Sequence, residues 1–293
     1  MRPQDVARLL ALGAMWGASY LFMRYAVPHF GPILMIELRV LIAGVALLAF
    51  VLATGGRIAW AKHWRAYLFV GAVGLAAPFV LIGQALTTID ASTAAILNAL
   101  APLFAAVTAA WWIRDPLTPA KMGGIALCIA GTALLVGWSP TPPTSRELFA
   151  AGLMVLATAL YGYTIVFTKV HLREANPSAI SAATLLVAAA TLAPFAPGSH
   201  NVANVPSMAW LAVLGLALVS TTVAFILYYR LIADIGPVKA ITVTLLVPVF
   251  GMMWGIVFLG EPLSPGRIVG CAVILAGCAS ILGLVRMPVR ATT

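Results

Sequence analysis

The sequence predicts an all-α membrane protein of ten transmembrane helices, arranged as two inverted five-helix repeats. Three observations carry this reading. The 293 residues are 62% hydrophobic and 9% charged, with a mean hydropathy of +1.05, far outside the range of soluble domains. The stretch from Pro102 to Leu135 returns without a gap from Pro248 to Ile281, an offset of 248 − 102 = 146. The basic residues behind the net charge of +9 fall singly between apolar runs and on alternate sides of them, the positive-inside pattern of a membrane protein and not the basic face that nucleic acid requires.

About 20 apolar residues are needed to cross about 30 Å of hydrocarbon. Ten segments qualify: 6–26, 32–54, 66–88, 91–113, 119–137, 148–169, 178–196, 207–230, 237–259 and 265–286. The first follows Arg2, Asp5 and Arg8 and runs past signal-peptide length, so it reads as a retained span. Turn chemistry separates the others, as in Pro28-His29-Phe30-Gly31-Pro32, Gly55-Gly56, Ser139-Pro140-Thr141-Pro142-Pro143, Asn176-Pro177 and Gly236-Pro237. No connector is long enough for a soluble domain. Residues 1–140 and 147–293 are the expected repeats.

Thirteen Lys and Arg fall on the side of the N-terminus: Arg2, Arg8, Arg57, Lys62, Arg65, Arg114, Lys121, Lys169, Arg173, Arg230, Lys239, Arg286 and Arg290. Three fall opposite, Arg24, Arg146 and Arg267, and Arg39 lies inside the second span. Both termini are therefore expected in the cytoplasm. Five spans per repeat make the second copy enter from the opposite face, and Arg114 beside the first connector accordingly becomes Gly260 beside the second. The connectors themselves correspond residue by residue: Asp115-Pro116-Leu117-Thr118-Pro119-Ala120-Lys121 against Glu261-Pro262-Leu263-Ser264-Pro265-Gly266-Arg267. The front of the unit repeats more faintly, with Trp16-Gly17-Ala18-Ser19 answered by Tyr161-Gly162-Tyr163-Thr164.

Pro102 and Pro248 fall near the middle of spans 4 and 9. A proline there removes a hydrogen bond and clashes with the carbonyl four residues earlier, so kinks are expected that free the carbonyls of Asn98 and Thr244. In lipid such groups need a wet cavity or a protein partner, and two kinked helices meeting at the midplane suit a carrier's binding site. Around Asn98, Pro102, Thr244 and Pro248, the remaining polar and aromatic candidates are Trp16, Ser19, Tyr20, Pro78, Gln84, Tyr161, Tyr163, Thr221, Phe225 and Tyr228. Thr221, Phe225 and Tyr228 share a helix face by their i, i+4, i+7 spacing.

Glu37 and Arg39 are the ionisable residues inside a span, where a functional role is the default suspicion. Two apart, they point to different faces and cannot pair with each other. Glu37 reads either as a proton-coupling carboxylate or as a side chain snorkelling to the outer interface. Asp90 and Asp234, at span ends, are expected to be solvated. Gly13-x-x-x-Gly17, Gly251-x-x-x-Gly255 and Gly266-x-x-x-Gly270 predict close helix approach. Cys128, Cys271 and Cys278 read as small packing residues.

The histidines His29, His63, His171 and His200 sit at or beyond span ends, and no nucleophile, metal or nucleotide-binding motif is present. No cofactor is expected, nor a channel filter. An intramembrane enzyme would need a paired His/Asp or Cys/His constellation at membrane depth.

These features together resemble the EamA family of the drug/metabolite transporter superfamily. The resemblance rests on two five-span halves, each closing with a proline-bearing span, an acidic-Pro-Leu-Ser/Thr-Pro turn and a Gly-x6-Gly span, on the Trp16-Gly17-Ala18-Ser19 opening and on Arg39. It implies an inner-membrane carrier with its cavity between the halves and spans 4 and 9 at its centre. It also implies export of amino acids, aromatic ones included, or of another metabolite or drug. The expected partners are the bilayer and a small-molecule substrate, with no nucleic acid, and the chain is expected to work as a monomer. Arg39 departs from the repeat, because its counterpart is Thr184.

Overall fold

The computed structural model describes residues 2–137, 142–196 and 204–284. His200, Arg286, Arg290 and the Ser139-Pro140-Thr141 part of the central turn lie outside them. Among the described residues the chain is helical throughout, with no strand.

The first helix, Pro3–Ala53, is 51 residues long, about twice what a bilayer needs. At Gly31 its backbone turns to φ 70° and ψ 164°, a conformation glycine adopts without a Cβ penalty, and Pro32 follows. We therefore count α1 (residues 3–30) and α2 (32–53). They are followed by α3 (Trp60–Ala85), α4 (Ala91–Trp112), α5 (Pro119–Gly137), α6 (Ser145–His171), α7 (Pro177–Phe195) and α8 (Ser207–Ile235). The last two are α9 (Val243–Leu259), preceded by the single turn Pro237–Ala240, and α10 (Pro265–Ile281). These are the ten expected spans, displaced by a few residues at their ends.

The contacts obey a two-fold relation. Gly124 of α5 and Gly277 of α10 lie so close that a Cβ on either would stand 2.6 Å from the other's carbonyl oxygen, and Gly131 faces Gly270 in the same way, at 3.0 and 2.9 Å. Adding 146 to one member of each pair gives the partner in the other pair, the signature of a self-complementary interface. On the axis itself, the Cys128 thiol donates to the carbonyl of its own counterpart, Ile274, at 3.7 Å.

A second pair of contacts interleaves the repeats. Gly17 of α1 seats on Phe250 and Gly251 of α9, and Gly162 of α6 seats on the counterparts Phe104 and Ala105 of α4. Ion pairs join residues assigned to the same end of the bundle: Arg8 with Asp234 at 2.7 Å, Lys62 with Glu174 at 2.8 Å, and Arg267 with Asp90 at the opposite end. Asp90 and Asp234 are thus paired as well as partly solvated.

Two features were not expected. Residues Val70–Ala76 of α3 and Gly215–Val223 of α8 are π-helical, and 70 + 146 = 216 places the second stretch at the counterpart of the first. The kinks also differ between repeats. α4 is broken at Ala99–Leu100, where Ala99 and Leu100 donate to carbonyls only three residues back, just ahead of Pro102 as anticipated. In the second repeat the break lies at Ile241–Thr242, and Pro248 stands inside a continuous helix. A proline removes a single N–H, and the helix continues through it here.

Arg114 and Gly260 are counterparts, and both have positive φ, 55° and 64°. Glycine suits that region and arginine does not. Arg114→Gly is therefore expected to stabilise the protein by about 1 kcal/mol, raising the midpoint of thermal unfolding in detergent by roughly 2–4 °C.

Candidate functional site

A cavity of about 520 Å³ lies between the repeats, within the size range of small-molecule sites. Its wall is built from counterpart helices. Asn98 and Pro102 of α4 and Thr244 and Pro248 of α9 line it, as do Trp16, Ser19 and Tyr20 of α1, Tyr161 of α6, and Phe225 and Tyr228 of α8. Aromatic rings form much of that wall. Trp16 meets Tyr228 at 5.2 Å and Phe225 at 6.3 Å, and Tyr161 meets Phe79 edge-on at 6.1 Å.

Four candidates stand elsewhere. Gln84 is exposed at the end of α3, because that helix stops at Ala85. Pro78 is buried outside the wall, at the second position of the α-helical segment that resumes after the π stretch. Tyr163, two residues from Tyr161 and hence on another face, stacks on Trp112 at 5.2 Å in an aromatic cluster with Phe69 and Phe167. Thr221 lies behind the wall. The π stretch resets the helix phase, so the expected face of Thr221, Phe225 and Tyr228 delivers only the last two to the cavity.

Thr221 nevertheless shapes the site. Its hydroxyl donates five residues back to the Leu216 carbonyl at 2.8 Å, a reach available in a π turn, and accepts from Arg39 Nε at 3.1 Å. The guanidinium stacks 3.9 Å above the Phe79 ring, so Arg39 is held at the wall from two sides. Glu37 does not line the cavity. It is 8% exposed, and its Oε2 has no partner among the described residues.

Sequence reasoning missed Thr164, Thr168, Thr184 and Ser220, which also line the cavity. Small hydroxyls in an apolar helix usually bond to their own backbone, and Thr164, Thr184 and Thr244 do so at 2.7–2.8 Å. Ser220 does not. Its Oγ and Asn98 Oδ1 are buried without a hydrogen-bond partner among the described residues, a state that asks for a ligand or water. No group of three His, Cys, Asp or Glu is placed to hold a metal among the described residues.

At the end of the bundle away from the N-terminus, a carboxylate of the second repeat binds the start of a helix of the first. The Glu261 carboxylate, 8% exposed, accepts from Ala91 N at 2.7 Å, from Ser92 N at 2.9 Å and from Ser92 Oγ, capping α4. Its counterpart Asp115 sits in the same backbone turn: Asp115 N to Ala109 O and Glu261 N to Gly255 O are both 3.2 Å. Asp115 instead pairs with Lys121 at 3.0 Å. The counterparts of Ala91 and Ser92 are Pro237 and Val238, which lack the N–H and the hydroxyl that such a cap uses.

Known proteins share this architecture. A solved crystal structure, 20% identical, superposes with a TM-score of 0.69 over 96% of each chain. A protein of Streptantibioticus cattleyicolor named "Probable terminal-alkyne amino-acid exporter" is 25% identical over 89% of this chain and 88% of its own. The Escherichia coli (strain K12) "Uncharacterized inner membrane transporter YedA" is 28% identical over 87% and 83%. The family model described as the EamA-like transporter family matches residues 6–137 and 148–283, which takes in both copies of the internal repeat, and the chain belongs to that family of membrane transporters.

Proposed function

We propose that the chain is a secondary carrier of the bacterial inner membrane that exports small amphipathic metabolites, amino acids including aromatic ones first among them, by alternating access to the cavity. The observation that carries this reading is the cavity's position: it lies where counterpart helices of the two repeats meet, with paired prolines and unpartnered polar atoms in a largely apolar wall that includes several aromatic rings. A site lined by helices of both repeats of one chain supports a monomer as the working unit. The excess of Lys and Arg at the end of the bundle that holds the N-terminus supports cytoplasmic termini. The printed name of the Streptantibioticus relative supports amino acids as cargo, and that of YedA an inner-membrane location.

Residues 1–140 and 147–293 form the two repeats in this reading, but they do not move as blocks. Gly17 seats α1 on α9, and Gly162 seats α6 on α4, so each moving unit draws helices from both repeats.

The test is the Asn98→Leu/Thr244→Leu double variant. In reconstituted vesicles it is expected to lose at least nine-tenths of labelled phenylalanine transport while keeping its detergent melting profile. Undiminished transport would remove both residues from the site.

A further inference from the structure

Arg39 is the one charged side chain among the described residues bordering the cavity, and it is 6% exposed. No ion pair among the described residues includes it. Its Nε is bonded to Thr221, Nη1 meets only the Met23 sulfur at 3.6 Å, a weak acceptor, and Nη2 has no partner among the described residues. A guanidinium carries five N–H donors in one plane, so most of these donors are uncommitted. A cation inside a membrane without a counter-ion is expensive. The fold does not demand it either, because the same helix position in the other repeat holds Thr184, which bonds its own backbone.

We propose that the missing counter-ion is the substrate: the Nη1 and Nη2 end of Arg39 binds the carboxylate of an amphipathic monocarboxylate through parallel charge-assisted hydrogen bonds. This rests on the cavity being the transport site. The α-amino acids satisfy the rest of the lining best. Thr164, Thr184 and Thr244 spend their protons on their own helices and Asn98 Oδ1 lacks a donor, so the wall offers acceptors to an ammonium group. A phosphate ester would bring a second negative charge that this lining leaves unpaired, and a cation without a carboxylate would be repelled.

The experiment measures labelled phenylalanine transport in vesicles against two competitors, 3-phenylpropionate, which keeps the carboxylate, and phenylalaninamide, which lacks it. Wild type is expected to be inhibited by the first and not by the second. In Arg39→Gln the KM for phenylalanine should rise at least tenfold and the order of the competitors should reverse, with Arg39→Lys falling between. Those outcomes support the anchor, and the competitor order is not something a loss of packing would invert.

Wild type that accepts the amide as readily as the acid overturns the proposal whether or not the variants fold, as does wild type that moves neither phenylalanine nor phenylpropionate. A folded Arg39→Gln with unchanged KM overturns it too. If Asn98→Leu/Thr244→Leu abolishes transport while Arg39→Gln preserves it, the anchor fails and the site stands. If both variants transport normally, both fail.

Discussion

Gly277→Leu is expected to lower the yield of folded protein extracted from the membrane several-fold. A Cβ at Gly277 would lie 2.6 Å from the Gly124 carbonyl oxygen and 2.8 and 2.9 Å from the sulfur and backbone nitrogen of Cys128. Two of these three obstacles are backbone, which no rotamer change can clear. Relief requires α5 and α10 to separate along their length, and that opens the whole interface, because Gly131 and Gly270 close its other half. Helices in lipid associate through van der Waals contact and lack a hydrophobic drive toward one another, so nothing replaces the contact that is lost. Overpacking of this kind costs on the order of 3 kcal/mol, a large fraction of a typical protein's margin. Gly124→Leu should fail alike, since it meets the same contact from the other side. The yield of monodisperse protein after detergent extraction measures both. Gly152→Ala supplies the comparison: nothing lies within 4 Å of a Cβ there, and alanine favours the helix by up to about 1 kcal/mol, so yield should be unchanged or higher. A normal yield of Gly277→Leu would mean that α5 and α10 do not meet at these glycines.

The scaffold was more legible in the sequence than the site. Length and hydropathy place all ten spans, because the bilayer fixes both the length and the polarity of anything that crosses it. The repeat marks Gly124 and Gly131 as counterparts of Gly270 and Gly277, while their contact across the two-fold appears only in the structure. At the cavity, the prolines and the larger polar residues stand out against an apolar background, and Asn98, Thr244, Trp16 and Tyr161 are found that way. What fails is helix phase. No residue type marks a π turn, so the stretch at 215–223 that moves Thr221 behind the wall, and brings Ser220 to it, leaves no sign in the sequence. The role of Glu261 is hidden for another reason. Its connector motif is plain, but the partners at Ala91 and Ser92 lie 170 and 169 residues away, and only tertiary structure brings them together.

Glu261→Gln is expected to loosen the junction of the two repeats at the end of the bundle away from the N-terminus. The carboxylate satisfies two of the N–H groups that the start of α4 leaves without helical partners, and its charge lies at the positive end of that helix. Each hydrogen bond to a charged group contributes about 1.5–3 kcal/mol. A glutamine can accept from one of these donors, but its NH2 faces the others as a second donor. Loss of about 3 kcal/mol moves a two-state equilibrium by roughly a hundredfold. The nearby Arg267–Asp90 pair is partly exposed, with side chains 14% and 35% accessible, and pairs of that kind contribute at most about 1 kcal/mol, too little to hold the repeats together there alone. A cysteine at Ser220, in the cavity wall, reports the change. Its modification by a membrane-impermeant maleimide added on the side away from the N-terminus should be at least tenfold faster in the Glu261→Gln background. Gly255→Ala should produce the same acceleration by a different route, because its methyl group would occupy the space in which Glu261 reaches the Ser92 hydroxyl. Asp115→Asn, at the counterpart position, should leave the labelling rate unchanged, since Asp115 makes its ion pair with Lys121 on its own connector. Equal labelling in wild type, Glu261→Gln and Gly255→Ala would show that the carboxylate caps α4 without controlling access to the cavity.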